Sequence, residues 1–290
     1  MSELHNNEAS RYLLALAKRN ARVYVALPNT KAIILVGSAA EEMSDFYSDI
    51  DMIVYYDKLP SEEALQMAYR QNQGEERKLF TETSQEECLE IYQVQGVECQ
   101  IEHTTLVAWE RNMATVLERL DVASPLQKAL SGMMDAIPLY GESLVHHWQA
   151  TLAHYPDTLA RTMVKHYLAI VPVWGIHERM RSRDATIWLS QLMVEASYNI
   201  LGILAGINRL YYSPFQFKRM HRFIAQMNIA PPNLATRIEA LFHTDGASAG
   251  VQLEELVREV VDLVEQQMPE IAVTSLRKRI GWRQQAWKPL

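Results

Sequence analysis

Two carboxylates stand two residues apart in the segment SDIDMIV, at Asp49 and Asp51, inside an otherwise apolar run. Because side chains in a strand alternate between the two faces of a sheet, both would point to the same side. Like charges placed side by side repel each other and are costly to bury. A divalent cation would turn that repulsion into shared coordination, since Mg²⁺ is commonly held by one or two carboxylates together with substrate phosphates. The spacing therefore predicts a metal-dependent phosphoryl-transfer site. A solvated surface strand fits poorly, because Ile50, Met52 and Ile53 are apolar.

Two further segments could complete this chemistry. Gly37 and Ser38 end the apolar run KAIILV, where glycine permits close approach of the backbone and the following amides and hydroxyl can face phosphate oxygens. The segment GVECQIEH offers a third carboxylate, because Glu98 and Glu102 lie on one face of a predicted strand. His103 is a further candidate base, since the unperturbed pKa of histidine lies near 6.5.

The sequence GS, followed by ten residues and then DID between apolar neighbours, resembles the nucleotidyltransferase superfamily that includes DNA polymerase beta. Within that superfamily it is similar to the streptomycin-type antibiotic nucleotidyltransferases, whose third strand carries an acid followed by alternating apolar residues and a Trp. Matched in that way, Glu98 falls on the acid and Trp109 on the Trp. The resemblance implies that Asp49, Asp51 and Glu98 are catalytic and bind two Mg²⁺ ions, and it favours Glu98 over Glu102.

The same resemblance implies a nucleotide site made by Gly37, Ser38 and a downstream segment, NRLYYSPFQFKRM. Arg209, Tyr212 and Lys218 there match an Arg, a Tyr and a nucleotide-contacting Lys of those enzymes. The alternative for the cationic residues is a basic helix face in water.

Residues 184–212 contain no proline and predict one long helix. At about 100° per residue, Gln191, Glu195 and Asn199 fall on a narrow polar stripe together with two glycines. Because the rest of that helix is mostly apolar, we expect the stripe to line a cleft between domains and bind the acceptor. The alternative is a helix with one edge in solvent.

The composition of the chain favours some classes of protein and argues against others. The 290 residues are 48% apolar and 22% charged, as in a globular protein, and the net charge of −7 gives no global basic field for nucleic acid. Cys88 and Cys99 form no CxxC, which argues against a disulfide scaffold or structural zinc. The first twenty residues do not resemble a signal peptide, and the apolar stretch 192–207 contains polar residues that disfavour a membrane span. We therefore expect a cytoplasmic location.

Apolar runs predict strands at KAIILV, at SDIDMIVYY and on both sides of Gly96, with helices over 9–26 and from Ser61. Strand-like segments end near Thr105, and the pattern from Val107 onward is helical. We predict an α+β fold in which a nucleotidyltransferase-type mixed α/β catalytic domain (residues 1–120) precedes an all-helical domain (residues 121–290).

The expected function is Mg²⁺-dependent transfer of a nucleoside monophosphate, AMP in the first instance, from ATP or another NTP to a hydroxyl of a small molecule. An aminoglycoside-like antibiotic is implied only by the resemblance. One alternative is the same chemistry on a protein or tRNA, as in toxin–antitoxin members of the superfamily, although the acidic balance disfavours tRNA. Another is a non-catalytic nucleotide-sensing domain, which the intact GS and DID motifs disfavour.

Overall fold

The computed structural model describes residues 2–81 and 86–287; for residues 2–7, 178 and 181 it describes the backbone alone. Its six strands form one mixed sheet in the order β3-β4-β5-β2-β1-β6. The strands are β1 (Thr30–Val36), β2 (Ile50–Tyr56), β3 (Glu75–Thr81), β4 (Glu87–Val94), β5 (Val97–Thr105) and β6 (Ile137–Tyr140). Among these described strands, only β2 and β5 pair in parallel.

Helices surround the first strands and make up the described chain after β6. They are α1 (Ser2–Val25), α2 (Gly37–Ala40), α3 (Glu62–Gln71), α4 (Leu106–Leu117), α5 (Leu126–Met134), α6 (Glu142–Ala153), α7 (Asp157–Tyr167), α8 (Val173–Arg181), α9 (Thr186–Asn208), α10 (Met220–Ala225), α11 (Leu234–Ala240), α12 (Gly246–Gln267) and α13 (Thr274–Arg277). The predicted α+β class, with an all-helical C-terminal part, is confirmed.

The chain divides into two compact units. Unit 1 comprises the chain up to Thr115 together with Ala129–His154, and unit 2 comprises Val116–Lys128 together with the chain from Tyr155 onward. The division differs from a single cut at residue 120, because β6 pairs with β1 and so returns the chain to the sheet.

The prediction that strands end near Thr105 is therefore wrong. Strand β6 is only four residues long and contains Pro138, which an edge strand accommodates because its outer side needs no ladder hydrogen bond. Strand β3, also absent from the prediction, is the other edge of the sheet and is mostly exposed, with the polar sequence EERKLFT. Edge strands lack the apolar alternation that reveals a half-buried strand.

Unit 1 buries both faces of its sheet. On one face, the apolar side of α1 packs on the central strands through Leu13, Leu16 and Tyr24, among others. On the other face, Tyr55 of β2 packs against Trp109 of α4 and Trp148 of α6, with ring centroids 5.7 and 4.7 Å away. The central strands are thereby held from both sides.

Unit 2 is built around the apolar helix α9. By length and composition this helix could cross a membrane, but half of its most apolar window is buried inside the protein. A side chain added at Gly202 would collide with the Tyr167 ring of α7, and one at Gly206 would press on Ala160 and Val164. The two glycines of the polar stripe therefore let α7 approach α9 closely.

Candidate functional site

The register of the sheet places Asp51 in the second position of β2, between Val36 of β1 and Gln100 of β5. Asp49 lies two residues earlier, directly before the strand, and both aspartates are half-buried. Residues two apart share a face of the sheet. The predicted carboxylate pair therefore lies at the start of a central strand, where it is partly open to solvent.

Gly37 brings the end of β1 against this pair. It adopts φ +69°, a conformation that side chains disfavour, and a Cβ at this position would collide with the Asp51 carboxylate. Ser38 follows in the short helix α2 and is half-buried, and its Oγ accepts a hydrogen bond from the Ser44 hydroxyl at 3.2 Å. The GS pair thus adjoins the second aspartate, as its sequence position suggested.

A glutamine links the first aspartate to the third predicted acid. The Gln100 amide nitrogen donates to Asp49 Oδ2 at 3.1 Å and to Glu98 Oε1 at 3.0 Å. Sequence reasoning assigned no role to Gln100, although the strand alternation that selected Glu98 also put this residue on the same face. Because one amide holds both carboxylates, Gln100 sets the separation between them.

The hairpin between β4 and β5 fixes where Glu98 and Gln100 fall. Gln95 and Gly96 both have positive φ, at 54° and 79°, as a two-residue hairpin turn with the twist of the flanking strands requires. The turn joins Val94 to Val97 as the first pair of the ladder. The register that follows places Gln100 beside Asp51.

Glu102 lies further along the same face of β5, beside Ile53. Burial raises the pKa of the Tyr55 hydroxyl well above its ordinary value, and the nearby Glu102 and Glu87 carboxylates raise it further. The acids of this face are therefore arranged differently: Glu98 is hydrogen-bonded to the amide that holds Asp49, whereas Glu102 lies near the Tyr55 ring.

His103, the other candidate base, belongs to the opposite face of the sheet. It is fully buried, its Nε2 lies 3.3 Å from the Glu90 carboxylate, and its Nδ1 lies 2.9 Å from the Tyr56 hydroxyl. Because the Glu90 carboxylate only accepts, His103 Nε2 is the donor to it. His103 is thus a hydrogen-bonded core residue.

The predicted nucleotide contacts downstream all belong to unit 2. Arg209 follows α9 and pairs with Asp157 at 2.7 Å, and Lys218 is exposed. Tyr212 is buried, with its hydroxyl donating to the Tyr198 carbonyl at 3.1 Å. Burial raises the pKa of Tyr212 far above its ordinary value. The assignment of these residues to a nucleotide remains a prediction.

The predicted acceptor residues lie on α9, also in unit 2. Gln191 donates to Glu195 at 2.7 Å, one turn along the exposed side of the helix, and Asn199 donates to the Ala169 carbonyl at 3.3 Å. Their role in acceptor binding remains a prediction.

A divalent cation can be tested against the donor set of unit 1. Among the side chains that the structure describes, no three of His, Cys, Asp or Glu are grouped closely enough to hold a metal ion. The Asp51 carboxylate lies against the Gly37 backbone, and Asp49 accepts from Gln100, the neighbour of Asp51 in the sheet. This set fits Mg²⁺, which takes oxygen ligands and keeps several water or phosphate ligands besides one or two carboxylates.

Comparisons with known proteins add little to this geometry. No family model and no curated protein matches the chain. Among solved structures, it is similar to a nucleotidyltransferase-like protein from Exiguobacterium sibiricum, with 12% identity and a TM-score of 0.41. That similarity covers 88% of this chain and 80% of the other. A likeness of this extent does not identify a function.

Proposed function

We propose that the protein is a Mg²⁺-dependent nucleotidyltransferase, which transfers a nucleoside monophosphate from an NTP such as ATP to a hydroxyl of a small molecule. The observation that carries the proposal is the position of Asp51, whose carboxylate lies against the Gly37 backbone and whose neighbour in the sheet, Gln100, holds Asp49. Such an arrangement can hold a cation and a triphosphate side by side.

Asp49 and Asp51 would hold the cation, and Mg²⁺ bound there would neutralise phosphate charge during in-line displacement. The Gly37 and Ser38 backbone and the Ser38 hydroxyl would orient the β- and γ-phosphates. Glu98 would accept the proton of the acceptor hydroxyl, whose oxygen forms a bond to the α-phosphorus. The bond from that phosphorus to the bridging oxygen breaks, and pyrophosphate leaves.

Support for Glu98 as the base comes from its link to Asp49 through Gln100, which would keep the proton acceptor near the cation. Glu102 shares the face of the sheet and the side-chain type, so it serves as a matched control. A positioned base typically contributes about 10²–10⁴-fold to the rate.

The metal assignment is tested by calorimetry of Mg²⁺ with the non-reactive analogue α,β-methylene-ATP. Asp49→Asn and Asp51→Asn should each weaken Mg²⁺-dependent binding by more than about 10-fold, the loss typical even for residues that only support a ligand. Thermal melting without metal should show no loss of stability, because one of two repelling charges is gone. Unchanged binding in both variants would refute the assignment.

The base is tested by pyrophosphate release from Mg²⁺-ATP in the presence of a panel of hydroxyl-bearing amines. We expect Glu98→Gln to lower the rate at least about 100-fold and Glu102→Gln to leave it nearly unchanged. Equal losses in the two variants would remove Glu98 from the mechanism.

A further inference from the structure

Ser44, in the loop between α2 and β2, is fully buried although its side chain is polar. Its hydroxyl donates to Ser38 Oγ at 3.2 Å, and its backbone amide donates to Ser10 Oγ of α1 at 3.0 Å. Ser10 is itself buried. Buried polar groups are normally hydrogen-bonded, and here the bonds join three serines into one series. The series runs from α1 to the GS pair of the candidate site.

The same loop also holds the Ser38 backbone. The Met43 amide donates to the Ser38 carbonyl at 3.0 Å, and the Glu41 amide donates to the Gly37 carbonyl at 3.1 Å. Ser38 is thus bonded to two consecutive residues of the loop, through its carbonyl to Met43 and through its hydroxyl to Ser44. Rotation of the Ser38 side chain to another staggered rotamer would break the bond from Ser44. The loop therefore fixes the direction of the Ser38 hydroxyl.

The direction of the bond between the two hydroxyls decides what Ser38 can do. A serine hydroxyl has one proton to donate and two lone pairs that accept. Because Ser44 is the donor, it occupies one lone pair of Ser38 Oγ and leaves the Ser38 proton for another acceptor. Phosphate oxygens are strong acceptors, so they suit a hydroxyl held in this way. The bond from Ser44 also polarises the Ser38 hydroxyl and strengthens it as a donor.

We propose that Ser44 is a positioning residue for the nucleotide, acting through Ser38, an inference that rests on the function proposed above. Ser44 holds the Ser38 hydroxyl as a donor to the β- and γ-phosphates, and Ser10 holds the Ser44 amide. Because Ser44 is fully buried, it acts without touching the nucleotide. The Ser38 side chain is ordered before the nucleotide arrives, so the entropy of ordering it is not lost on binding.

A purely structural role of Ser44 makes a different prediction. If its hydrogen bonds served only to stabilise the loop, Ser44→Ala would affect the protein independently of Ser38. If Ser44 acts through Ser38, its effect on nucleotide binding disappears once the Ser38 hydroxyl is removed. A double-variant cycle separates these two roles, because residues in one hydrogen-bond series depart from additivity when they act together.

The experiment is calorimetry of Mg²⁺ with α,β-methylene-ATP on the wild type, the two single variants and Ser38→Ala/Ser44→Ala. Ser38→Ala should weaken binding at least about 10-fold, the loss expected for a hydrogen bond to a charged group. Ser44→Ala should weaken it about 3- to 5-fold, because the Ser38 hydroxyl remains and only its orientation is lost. The double variant should bind as Ser38→Ala does. Losses that multiply in the double variant, or unchanged binding by Ser44→Ala, would overturn the proposal.

Ser61 supplies a matched control within unit 1. Its side chain accepts from the Ala64 amide at 3.3 Å at the start of α3, so Ser61→Ala also removes a hydrogen-bonded serine hydroxyl. Loss of such a helix cap lowers the free energy of unfolding. Nucleotide binding by Ser61→Ala should nevertheless equal that of the wild type. If Ser61→Ala weakens binding as much as Ser44→Ala, the effect comes from stability alone and the proposal is overturned.

The wild type separates this inference from the proposed function. If it does not bind the analogue in the presence of Mg²⁺, the nucleotidyltransferase function is refuted and the role of Ser44 with it. If the wild type binds the analogue and the losses from Ser38→Ala and Ser44→Ala are independent, only the role of Ser44 is refuted.

Discussion

Glu90, a fully buried acid on the face of the sheet opposite the candidate site, allows a sharp test of how unit 1 is held together. Its carboxylate accepts from Arg77 Nε, from Tyr24 OH at 2.9 Å and from His103 Nε2 at 3.3 Å. The partners come from α1, β3 and β5, so the acid on β4 joins four elements. The perturbation we consider is Glu90→Gln, which keeps the shape of the side chain and removes its charge.

The expected magnitude follows from burial. The Arg77 and Glu90 side chains are 10% and 0% exposed, so the variant leaves a guanidinium with little access to water. Removing one partner of a buried ion pair typically costs about 3–5 kcal/mol. That is a large part of a typical unfolding free energy of about 5–15 kcal/mol. The Lys31–Asp57 pair has side chains 42% and 50% exposed, and Asp57→Asn should cost at most about 1 kcal/mol.

The measurement is native-state hydrogen exchange of the β4 and β5 amides, because a chain with two units need not unfold in one transition. The double variant Arg77→Met/Glu90→Gln should recover part of the stability that Glu90→Gln loses, because no unpaired buried charge remains. If Glu90→Gln and Asp57→Asn lower the free energy of unfolding by the same small amount, the reasoning from burial is wrong.

Acid provides a second measure of the same carboxylate. Burial raises the pKa of Glu90, but hydrogen bonds from His103, Arg77 and Tyr24 outweigh it and hold the pKa below its ordinary value. The pKa of Glu in an unfolded chain is about 4.3. The stabilisation that the Glu90 carboxylate provides is therefore complete above that pH, and it is lost as the pH falls through the lower pKa of the folded state. The stability gap between the wild type and Glu90→Gln should therefore narrow as the pH falls below about 4. A gap that widens on acidification would contradict the assigned charge state.

Two further predictions concern the candidate site. Gln100→Leu should weaken Mg²⁺–nucleotide binding about 10- to 100-fold, because it removes the donor shared by two carboxylates. Gln100→Glu should lower the melting temperature of the metal-free protein, and Mg²⁺ should raise the melting temperature of this variant more than that of the wild type. Melting curves without these two shifts would contradict the position of Gln100 between the two acids. Gly37→Ala should lower the free energy of unfolding more than Gly96→Ala does. Both glycines have positive φ, but only a side chain at Gly37 would collide with the Asp51 carboxylate. Equal losses of stability and unchanged nucleotide binding would show that the contact with Asp51 is unimportant.

The central strands could be predicted from the sequence because their apolar residues alternate or run continuously, as buried strands require. The hairpin around Gly96 followed from the same pattern. The two edge strands were missed, since β3 is mostly exposed and β6 contains a proline. Local periodicity reports burial, and it fails where a strand has little to bury.

The aspartate pair and the GS turn were predictable because their chemistry lies within one short segment. The role of Gln100 was not, because it depends on the parallel register between β2 and β5, two strands far apart in sequence. Glu90 was missed for a related reason. In a strand, a lone Glu indicates a solvated face, and only the convergence of three distant segments makes it a buried acid.

The carboxylates on the two faces of the sheet have different hydrogen-bond partners, and this difference bears on the proposed function. Glu90 is enclosed by an arginine, a histidine and a tyrosine, so its charge is neutralised by the protein itself. On the other face, Asp49 and Glu98 share the neutral amide of Gln100, which orders both acids and adds no positive charge. The Mg²⁺ proposed above would supply positive charge on that face.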